Sequence, residues 1–259
     1  MSYIDSHIHL ASIEYHQYYE LIFNLLQTTK IKCFCMSEDY DSSYSTLLLK
    51  QTYLKSSNLL QAFVGIHPQF ATDLTDIDHF QDFFYSNQQH IDGIGEIGLD
   101  PTYTNLETNN SMDSQKFIFD KMLTLSEQNQ MPVSIHSRRS VGDILNMLPS
   151  YRIKNAVFHW YEGSKKQLKK INDMDLYVSF GPYILYNKEK QDMLREANIN
   201  LVLLETDGPV TYKNCLQSIL TSPSLIISIQ YIVSTIIEKS FNETTDLLLR
   251  NASRFIQRL

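Results

Sequence analysis

The strongest constraint on the fold of this 259-residue chain is a regular alternation between short apolar segments and longer amphipathic ones. The short segments are rich in β-branched and aromatic residues, as β-strands are, whereas apolar residues recur with helical spacing in the longer ones. Strands are predicted at residues 3–7, 31–36, 61–66, 93–98, 132–136, 156–159, 176–180 and 200–205. Helices are predicted between them, at residues 16–29, 42–57, 76–89, 112–130, 140–149, 164–173, 187–197 and 222–238.

Eight strand–helix alternations in about 250 residues predict an α/β fold, a (β/α)8 TIM barrel, with a doubly wound open sheet as the alternative. Because no linker rich in Gly, Ser or Pro divides the chain, we expect a single domain spanning residues 1–259. A further helix at residues 243–259 is expected to pack outside the barrel or across its bottom.

The most apolar long stretch, residues 225–237, is interrupted by Ser228, Gln230, Ser234 and Thr235. It is also shorter than the ~20 residues that span a bilayer, so we predict a buried helix there and no membrane partner. The three cysteines cannot form a disulfide framework, which favours a reducing, cytoplasmic location. The sequence carries no pattern that specifies an oligomer, and a monomer is expected.

Six residues of metal-ligating type stand at the carboxyl ends of the predicted strands. They are His7, His9, Glu96, His136, His159 and Asp207. A single histidine in a protein is more often structural than a ligand, but the strands of a parallel barrel all end on one rim, where such enzymes keep their sites. In extended backbone, residues two apart point to the same side, so His7 and His9 can both face the mouth of the barrel.

The types of these residues favour two metal ions rather than one. Imidazole together with carboxylate suits ions such as Zn²⁺ and Mn²⁺ better than Ca²⁺, and six ligands are more than one open catalytic metal takes. They suit two metals that share a bridging carboxylate, and Glu96, on a central strand, is the natural bridge. The expected cofactors are two divalent metal ions, with Mg²⁺, Mn²⁺ or Zn²⁺ as the candidates.

A family resemblance rests on six motifs in a fixed order along nearly the whole chain. They are Asp5-Ser6-His7-Ile8-His9-Leu10, Val64-Gly65-Ile66-His67-Pro68, Ile94-Gly95-Glu96-Ile97-Gly98-Leu99-Asp100, Pro132-Val133-Ser134-Ile135-His136-Ser137-Arg138, His159-Trp160-Tyr161-Glu162-Gly163-Ser164 and Glu205-Thr206-Asp207-Gly208-Pro209. The set resembles the TatD family of metal-dependent deoxyribonucleases, within the amidohydrolase-like barrels. It departs from the family pattern in the residues after Asp100, after His159 and after Pro209, and no departure removes a ligand.

The resemblance implies how the ligands are divided between the metals. His7, His9, Glu96 and Asp207 would hold one metal. Glu96, His136 and His159 would hold the other. It also implies a glutamate at the fourth strand in place of the carboxylated lysine that some amidohydrolases use there.

The expected activity is hydrolysis of DNA phosphodiester bonds, 3′–5′ on single strands or chain ends, by two-metal activation of water. Glu96 and Asp207 are the predicted catalytic carboxylates, with Asp207 both a ligand and the proton acceptor from water. His67 is predicted as a third catalytic group that donates a hydrogen bond to phosphate or leaving group.

Two further residues are candidates for binding the substrate. Arg138 offers a fork of donors to a phosphate, and its alternative is an ion pair with a rim carboxylate. Trp160, the only tryptophan, offers a stacking surface for a base, and its alternative is packing behind the sixth strand. Tyr103, Tyr183 and Tyr186 are weaker candidates for stacking.

The net charge of −7, from 22 Lys and Arg against 29 Asp and Glu, argues against a broad basic DNA-binding face. Bound cations would supply positive charge locally, so we expect few phosphate contacts elsewhere and a shallow salt dependence. Two alternatives stay open. One is a metal-dependent hydrolase of an amide, lactone or aminoacyl ester, and the other is an accessory subunit that binds nucleic acid or a partner without catalysis.

Overall fold

The structure of the chain is a computed structural model that describes residues 2–53, 59–72, 76–105 and 107–257. Eight strands form one sheet in the order of the sequence, and each is parallel to its neighbour. They are β1 (Tyr3–Ile8), β2 (Ile31–Cys35), β3 (Leu60–Val64), β4 (Gly93–Gly98), β5 (Val133–His136), β6 (Ala156–Phe158), β7 (Tyr177–Phe180) and β8 (Val202–Leu204). The predicted α/β barrel is therefore confirmed, and the doubly wound alternative is wrong.

The described residues include nine α-helices, which follow the strands and cover the outside of the sheet. They are α1 (Tyr19–Thr29), α2 (Tyr40–Tyr53), α3 (Asp76–Asn87), α4 (Met112–Asn129), α5 (Val141–Met147), α6 (Lys165–Asp173), α7 (Lys188–Glu196), α8 (Leu225–Ile236) and α9 (Phe241–Phe255). Residues 54–57 of the second predicted helix and residues 258–259 of the last one lie outside the described residues.

Local sequence signals explain where several helices begin. Ser164 and Ser240 are N-cap residues, and the side chains of Gln167 and Glu243, three positions later, accept hydrogen bonds from the N-cap N–H groups. This reciprocal capping starts α9 at Phe241, two residues before the predicted boundary. Residues 13–18, by contrast, form a 3-10 helix ahead of α1, so the first α-helix starts later than the periodicity predicts.

The barrel closes between β1 and the segment that follows β8. The Asp207 N–H donates to the His7 carbonyl over 2.9 Å, and the His9 N–H donates to the Gly208 carbonyl over 2.8 Å. Beneath this seam, the fully buried Asp5 carboxylate accepts a 2.9 Å hydrogen bond from the Thr206 N–H, and burial raises the pKa of Asp5 to about 8. These hydrogen bonds thus fix the segment that carries His7 and His9 against the segment that carries Asp207.

Aromatic packing closes the opposite end of the barrel. The Phe255 ring of α9 lies 6.1 Å from the Phe34 ring, 6.2 Å from the Phe63 ring and 5.3 Å from the Tyr177 ring, all on inward-facing strand positions. The Asn251 amide holds α9 there by donating to the carbonyls of Ile199 and Val202 over 2.8 Å each. Of the two placements predicted for the last helix, outside the barrel or across its bottom, the structure shows the second, and the opposite rim is left open.

Within the described part of the chain, no helix combines the length and apolar character needed to cross a membrane. Helix α8, which contains most of the apolar stretch noted in the sequence, packs against β1, β8 and α9. Its inward residues Ile226, Ile229 and Val233 are buried, as the sequence predicts.

Candidate metal centre

The open rim holds a cavity of about 540 Å³ at the carboxyl ends of the strands. Eight of the nine predicted site residues line it: His9, His67, Glu96, His136, Arg138, His159, Trp160 and Asp207. The ninth, His7, is fully buried and lies directly below, with its Nε2 atom 3.2 Å from that of His9. The structure therefore brings together every residue that the sequence analysis assigned to the site.

Four donor atoms form a compact group at the β1 side of the cavity. The Nε2 atoms of His7 and His9 each lie 3.3 Å from Glu96 Oε2 and 3.5 Å from Asp207 Oδ1. Ligand atoms placed tetrahedrally at about 2.0–2.1 Å from Zn²⁺ are separated by about 3.3–3.4 Å. The separations in the group therefore match those around a bound metal ion.

The second oxygen of Glu96 faces the other side of the cavity. Glu96 Oε1 lies 2.7 Å from both His136 Nδ1 and His159 Nε2, and 3.5 Å from His67 Nε2. Gly98, at the end of β4, allows this approach, because a Cβ atom there would stand 2.0 Å from the His136 carbonyl oxygen. One buried carboxylate thus lies between two sets of imidazoles.

The electrostatics of the site depend on this pairing of imidazole with carboxylate. Burial alone would raise the pKa of Glu96, but the imidazoles around it, His159 above all, bring it well below its usual range. Burial lowers the pKa of His7, whereas in His9 the nearby carboxylates of Asp207 and Glu96 outweigh burial and raise the pKa to about 10. Glu96 is therefore ionised, and the buried anion requires cations beside it.

The residues present fit a divalent metal ion. Asp207 Oδ1 is buried and has no hydrogen-bond partner among the described residues, and its nearest basic atoms are the two Nε2 atoms at 3.5 Å. A buried carboxylate oxygen without a donor is costly unless a cation satisfies it. Imidazole nitrogens and carboxylate oxygens are also the ligands that Zn²⁺ and Mn²⁺ take.

Asp100 is a site residue that the sequence analysis did not assign. Its Oδ2 lies 2.9 Å from His136 Nε2, while its Oδ1 accepts from the N–H and the hydroxyl of Thr102 over 2.8 and 2.6 Å. A carboxylate that accepts a hydrogen bond from one ring nitrogen holds the proton on that nitrogen, here Nε2. The other nitrogen, Nδ1, then directs its lone pair towards Glu96 and the site. Its position at the end of the fourth-strand motif was the available signal.

Replacing Asp100 with asparagine is expected to weaken metal binding at His136 by about 10–100-fold. The asparagine carbonyl would keep the hydrogen bonds from Thr102, which leaves the NH₂ group facing His136 Nε2 and moves the ring proton to Nδ1. Chelator competition measures the affinity, with Asp113→Asn on the exposed face of α4 as the control. An unchanged affinity would show that Asp100 does not set the His136 tautomer.

Glu205 is a second residue that the sequence analysis quoted without a role. It is fully buried at the end of β8, and its Oε1 lies 3.8 Å from His159 Nδ1. It accepts a 2.6 Å hydrogen bond from the Trp160 N–H and another of 2.6 Å from the Ser179 hydroxyl. Glu205 therefore anchors the segment that carries both His159 and Trp160.

His67 is held as a hydrogen-bond donor. Its Nδ1 accepts a 3.2 Å hydrogen bond from the Gln69 N–H, so in the neutral ring the proton is on Nε2. Burial lowers the pKa of His67 to about 3, which keeps the ring neutral. The Nε2–H group faces the cavity beside Glu96.

Aromatic rings and one guanidinium complete the walls of the cavity. The half-buried Trp160 stacks on the buried Tyr212 ring, with centroids 5.4 Å apart, and Tyr183 lies 5.6 Å away. Trp160 lines the cavity and does not pack behind β6. Arg138 is exposed at the wall and forms no ion pair with any described carboxylate, so the predicted alternative of a rim ion pair is not found.

A parallel (β/α)8 barrel with buried histidines and carboxylates converging on its open rim is the layout of a TIM-barrel enzyme with a candidate metal centre. A family model described as "TatD related DNase" matches residues 4–257. The chain belongs to the TatD family, and the resemblance seen in the six sequence motifs is confirmed.

Individual relatives agree with this assignment. The chain is 28% identical over 211 residues to an "Uncharacterized metal-dependent hydrolase" of Haemophilus influenzae, covering 79% of this chain and 80% of the relative. It is 25% identical over 215 residues to the "Putative deoxyribonuclease tatdn3" of Danio rerio, covering 80% of each. The crystal structure of YJJV, a TatD homolog from Escherichia coli K12, superimposes with a TM-score of 0.87 over 98% of this chain and 97% of that one, at 20% identity.

Proposed function

We propose that this TatD-family hydrolase is a deoxyribonuclease that removes nucleotides from the 3′ ends of single-stranded DNA with two divalent metal ions. One observation carries the proposal. The Glu96 carboxylate directs Oε2 at His7 and His9 and Oε1 at His136 and His159. A carboxylate shared in this way suits a pair of metal ions, and such pairs recur in enzymes that hydrolyse phosphodiesters.

Two ions held by His7, His9, Glu96 and Asp207 on one side and by Glu96, His136 and His159 on the other would activate water and stabilise charge at phosphorus. Zn²⁺ and Mn²⁺ suit these ligands, and Mg²⁺ is the third candidate. The protein itself fixes the positions of the ligands. Five imidazoles lie within 3.5 Å of the Glu96 carboxylate, Asp100 faces His136 Nε2 over 2.9 Å, and Glu205 anchors the backbone of Trp160 next to His159.

Three groups of the chain would act on the substrate directly. Asp207, buried at the rim, would accept the proton of the attacking water. His67 presents its Nε2–H group to the cavity and would donate it to a phosphate oxygen or to the leaving oxygen. Arg138 would bind a phosphate with its fork of donors.

The shape of the cavity supports action on a chain end. The cavity is closed below by the packed interior of the barrel, and its volume of about 540 Å³ is that of a small-ligand site, not of a through-channel. Trp160 on its wall offers a stacking surface for the terminal base, which a paired duplex would not expose. The names of the Danio rerio and human relatives, "Putative deoxyribonuclease tatdn3" and "Deoxyribonuclease TATDN3", support DNA as the substrate.

A metal-dependence series on 5′-labelled single-stranded DNA tests the proposal. The chelated protein is expected to be inactive, and return of Mn²⁺, Zn²⁺ or Mg²⁺ should restore a ladder that shortens from the 3′ end. A circular strand of the same sequence should resist. A protein that leaves DNA intact with every metal, and instead cleaves a substrate in a panel of amides, lactones and aminoacyl esters, would refute the nuclease assignment.

A further inference from the structure

The basic residues of the chain are concentrated in one quarter of the barrel. Residues 138–170, which run from the end of β5 through α6, contain eight Lys or Arg and only two Asp or Glu. This segment has a net charge of +6 within a chain whose net charge is −7. The segment is therefore a local excess of positive charge in an acidic chain.

Part of this positive charge lies at the rim. Arg138 and Arg139 occupy the turn between β5 and α5, and Lys166 is the second residue of α6. The two helices pack side by side, because a Cβ atom added at Gly142 of α5 would stand 3.7 Å from the Gln167 amide nitrogen of α6. All three cations are exposed, and we refer to Arg138, Arg139 and Lys166 as the rim basic strip.

The rim basic strip has no carboxylate to neutralise it. Lys165, next in sequence, forms a 2.7 Å ion pair with Glu196, whereas no member of the strip has an ion pair within the described parts of the chain. The carboxylate that lines the cavity on this side, Glu162, lies 3.9 Å from Lys190 Nζ and is paired there. The strip therefore presents unpaired positive charge to the solvent.

The wall across the mouth has the opposite charge. Glu14 and Glu38 line the cavity from the segments that follow β1 and β2, the strands opposite β5 and β6 in an eight-stranded barrel. A polyanion is attracted to one side of this mouth and repelled by the other.

We propose that the rim basic strip binds the sugar-phosphate backbone of a single nucleic acid strand and leads its end into the metal centre. The proposal rests on the nuclease function proposed above. The strand lies over the β5–β6 side with successive phosphates on Lys166, Arg139 and Arg138, and it stops in the cavity against Glu14 and Glu38. Because the strand cannot leave across the acidic wall, only a chain end reaches the site.

The test compares two pairs of substitutions that remove the same charge from the same segment. Arg139→Gln with Lys166→Gln neutralises the outer part of the strip. Arg152→Gln with Lys154→Gln is the control, because these exposed residues precede β6 at the closed end of the barrel. The metal-loaded proteins are titrated by fluorescence anisotropy with a fluorescein-labelled ten-nucleotide dT strand whose phosphorothioate linkages resist hydrolysis, at KCl concentrations from 50 to 300 mM.

The substitutions Arg139→Gln and Lys166→Gln, the strip pair, are expected to raise the Kd for the dT strand by about 3–10-fold. They should also lower the slope of log Kd against log salt by about 1.4, since each lost phosphate contact on a single strand contributes about 0.7. Turnover of a dinucleotide, which is too short to reach Arg139 and Lys166, should stay within about twofold of the unchanged protein. The control pair should bind the strand as the unchanged protein does.

Three results separate this proposal from its alternatives. Equal Kd and slope for the two pairs would overturn it. Binding to anionic phosphatidylserine vesicles that only the strip pair loses, with oligonucleotide binding unchanged, would assign the strip to a membrane surface and would also overturn it. Binding that depends on the strip in a protein that hydrolyses no DNA with any metal would support the strip and refute the nuclease function.

Discussion

Replacing Glu96 with alanine is expected to lower the hydrolytic rate by about 10³-fold or more and to reduce the metal content of the purified protein. Both losses follow from the position of one side chain. Glu96 Oε2 completes the donor group of His7 and His9, and Oε1 contacts His136 and His159 over 2.7 Å. Without the carboxylate, the two sets of imidazoles have no shared anion, and neither metal position keeps its full set of ligands.

Two companion variants make the Glu96 result specific. Glu96→Gln keeps the size of the side chain and removes its charge, so it should resemble Glu96→Ala in activity and metal content. Glu162→Gln removes a carboxylate from the same cavity wall, where it is 47% exposed beside Lys190, and should keep its metal. Metal per chain from elemental analysis and the rate on labelled DNA decide the matter. A fully active Glu96→Ala protein would exclude the two-metal arrangement.

The strands and their order were predictable because a barrel strand is buried on both sides. Every residue of β4 is buried, so the strand appears in the sequence as a short apolar run around one glutamate, and its predicted bounds match those in the structure. The ends of β8 were less predictable. Asn198 caps a 3-10 turn over Ile199–Leu201, which shortens the strand to Val202–Leu204.

The convergence of the candidate ligands was predictable for a related reason. Each lies near the carboxyl end of a strand or just after it, and parallel strands that close into a barrel bring those positions together whatever their distance along the chain. Asp100 and Glu205 were not assigned, because their roles depend on which ring nitrogen each one faces. That relation, 2.9 Å for Asp100 and 3.8 Å for Glu205, is set by tertiary packing.

The overall charge of the chain does not reveal the rim basic strip. Arg139 and Lys166 are 27 positions apart, and only the side-by-side packing of α5 and α6 places them on one edge of the mouth. A net charge of −7 argues against a broad basic face, and the structure agrees, since Glu14 and Glu38 occupy the opposite wall. A strip of three cations is compatible with that charge and with a modest salt dependence.

Replacing Asp207 with asparagine is expected to lower the hydrolytic rate by about 10²–10⁴-fold while the protein folds normally. Asp207 has a φ of 50°, in the left-handed region, and its N–H closes the barrel seam on the His7 carbonyl over 2.9 Å. Asparagine tolerates this conformation as aspartate does, whereas alanine would add a backbone cost of about 1–2 kcal/mol. Only the charge is lost, and with it the proposed metal ligand and proton acceptor for water.

Asp175→Asn is the matched control, because Asp175 has a φ of 54° but is exposed after α6, far from the rim. Its thermal midpoint and its activity should both match those of the unchanged protein. Asp207→Asn should share the midpoint, lose the activity and bind less metal beside His7 and His9, whose Nε2 atoms lie 3.5 Å from the missing charge. An Asp207→Asn protein with normal metal content and a normal rate would show that the reaction does not require the Asp207 carboxylate. The role of this position would then be limited to the backbone hydrogen bond that closes the barrel.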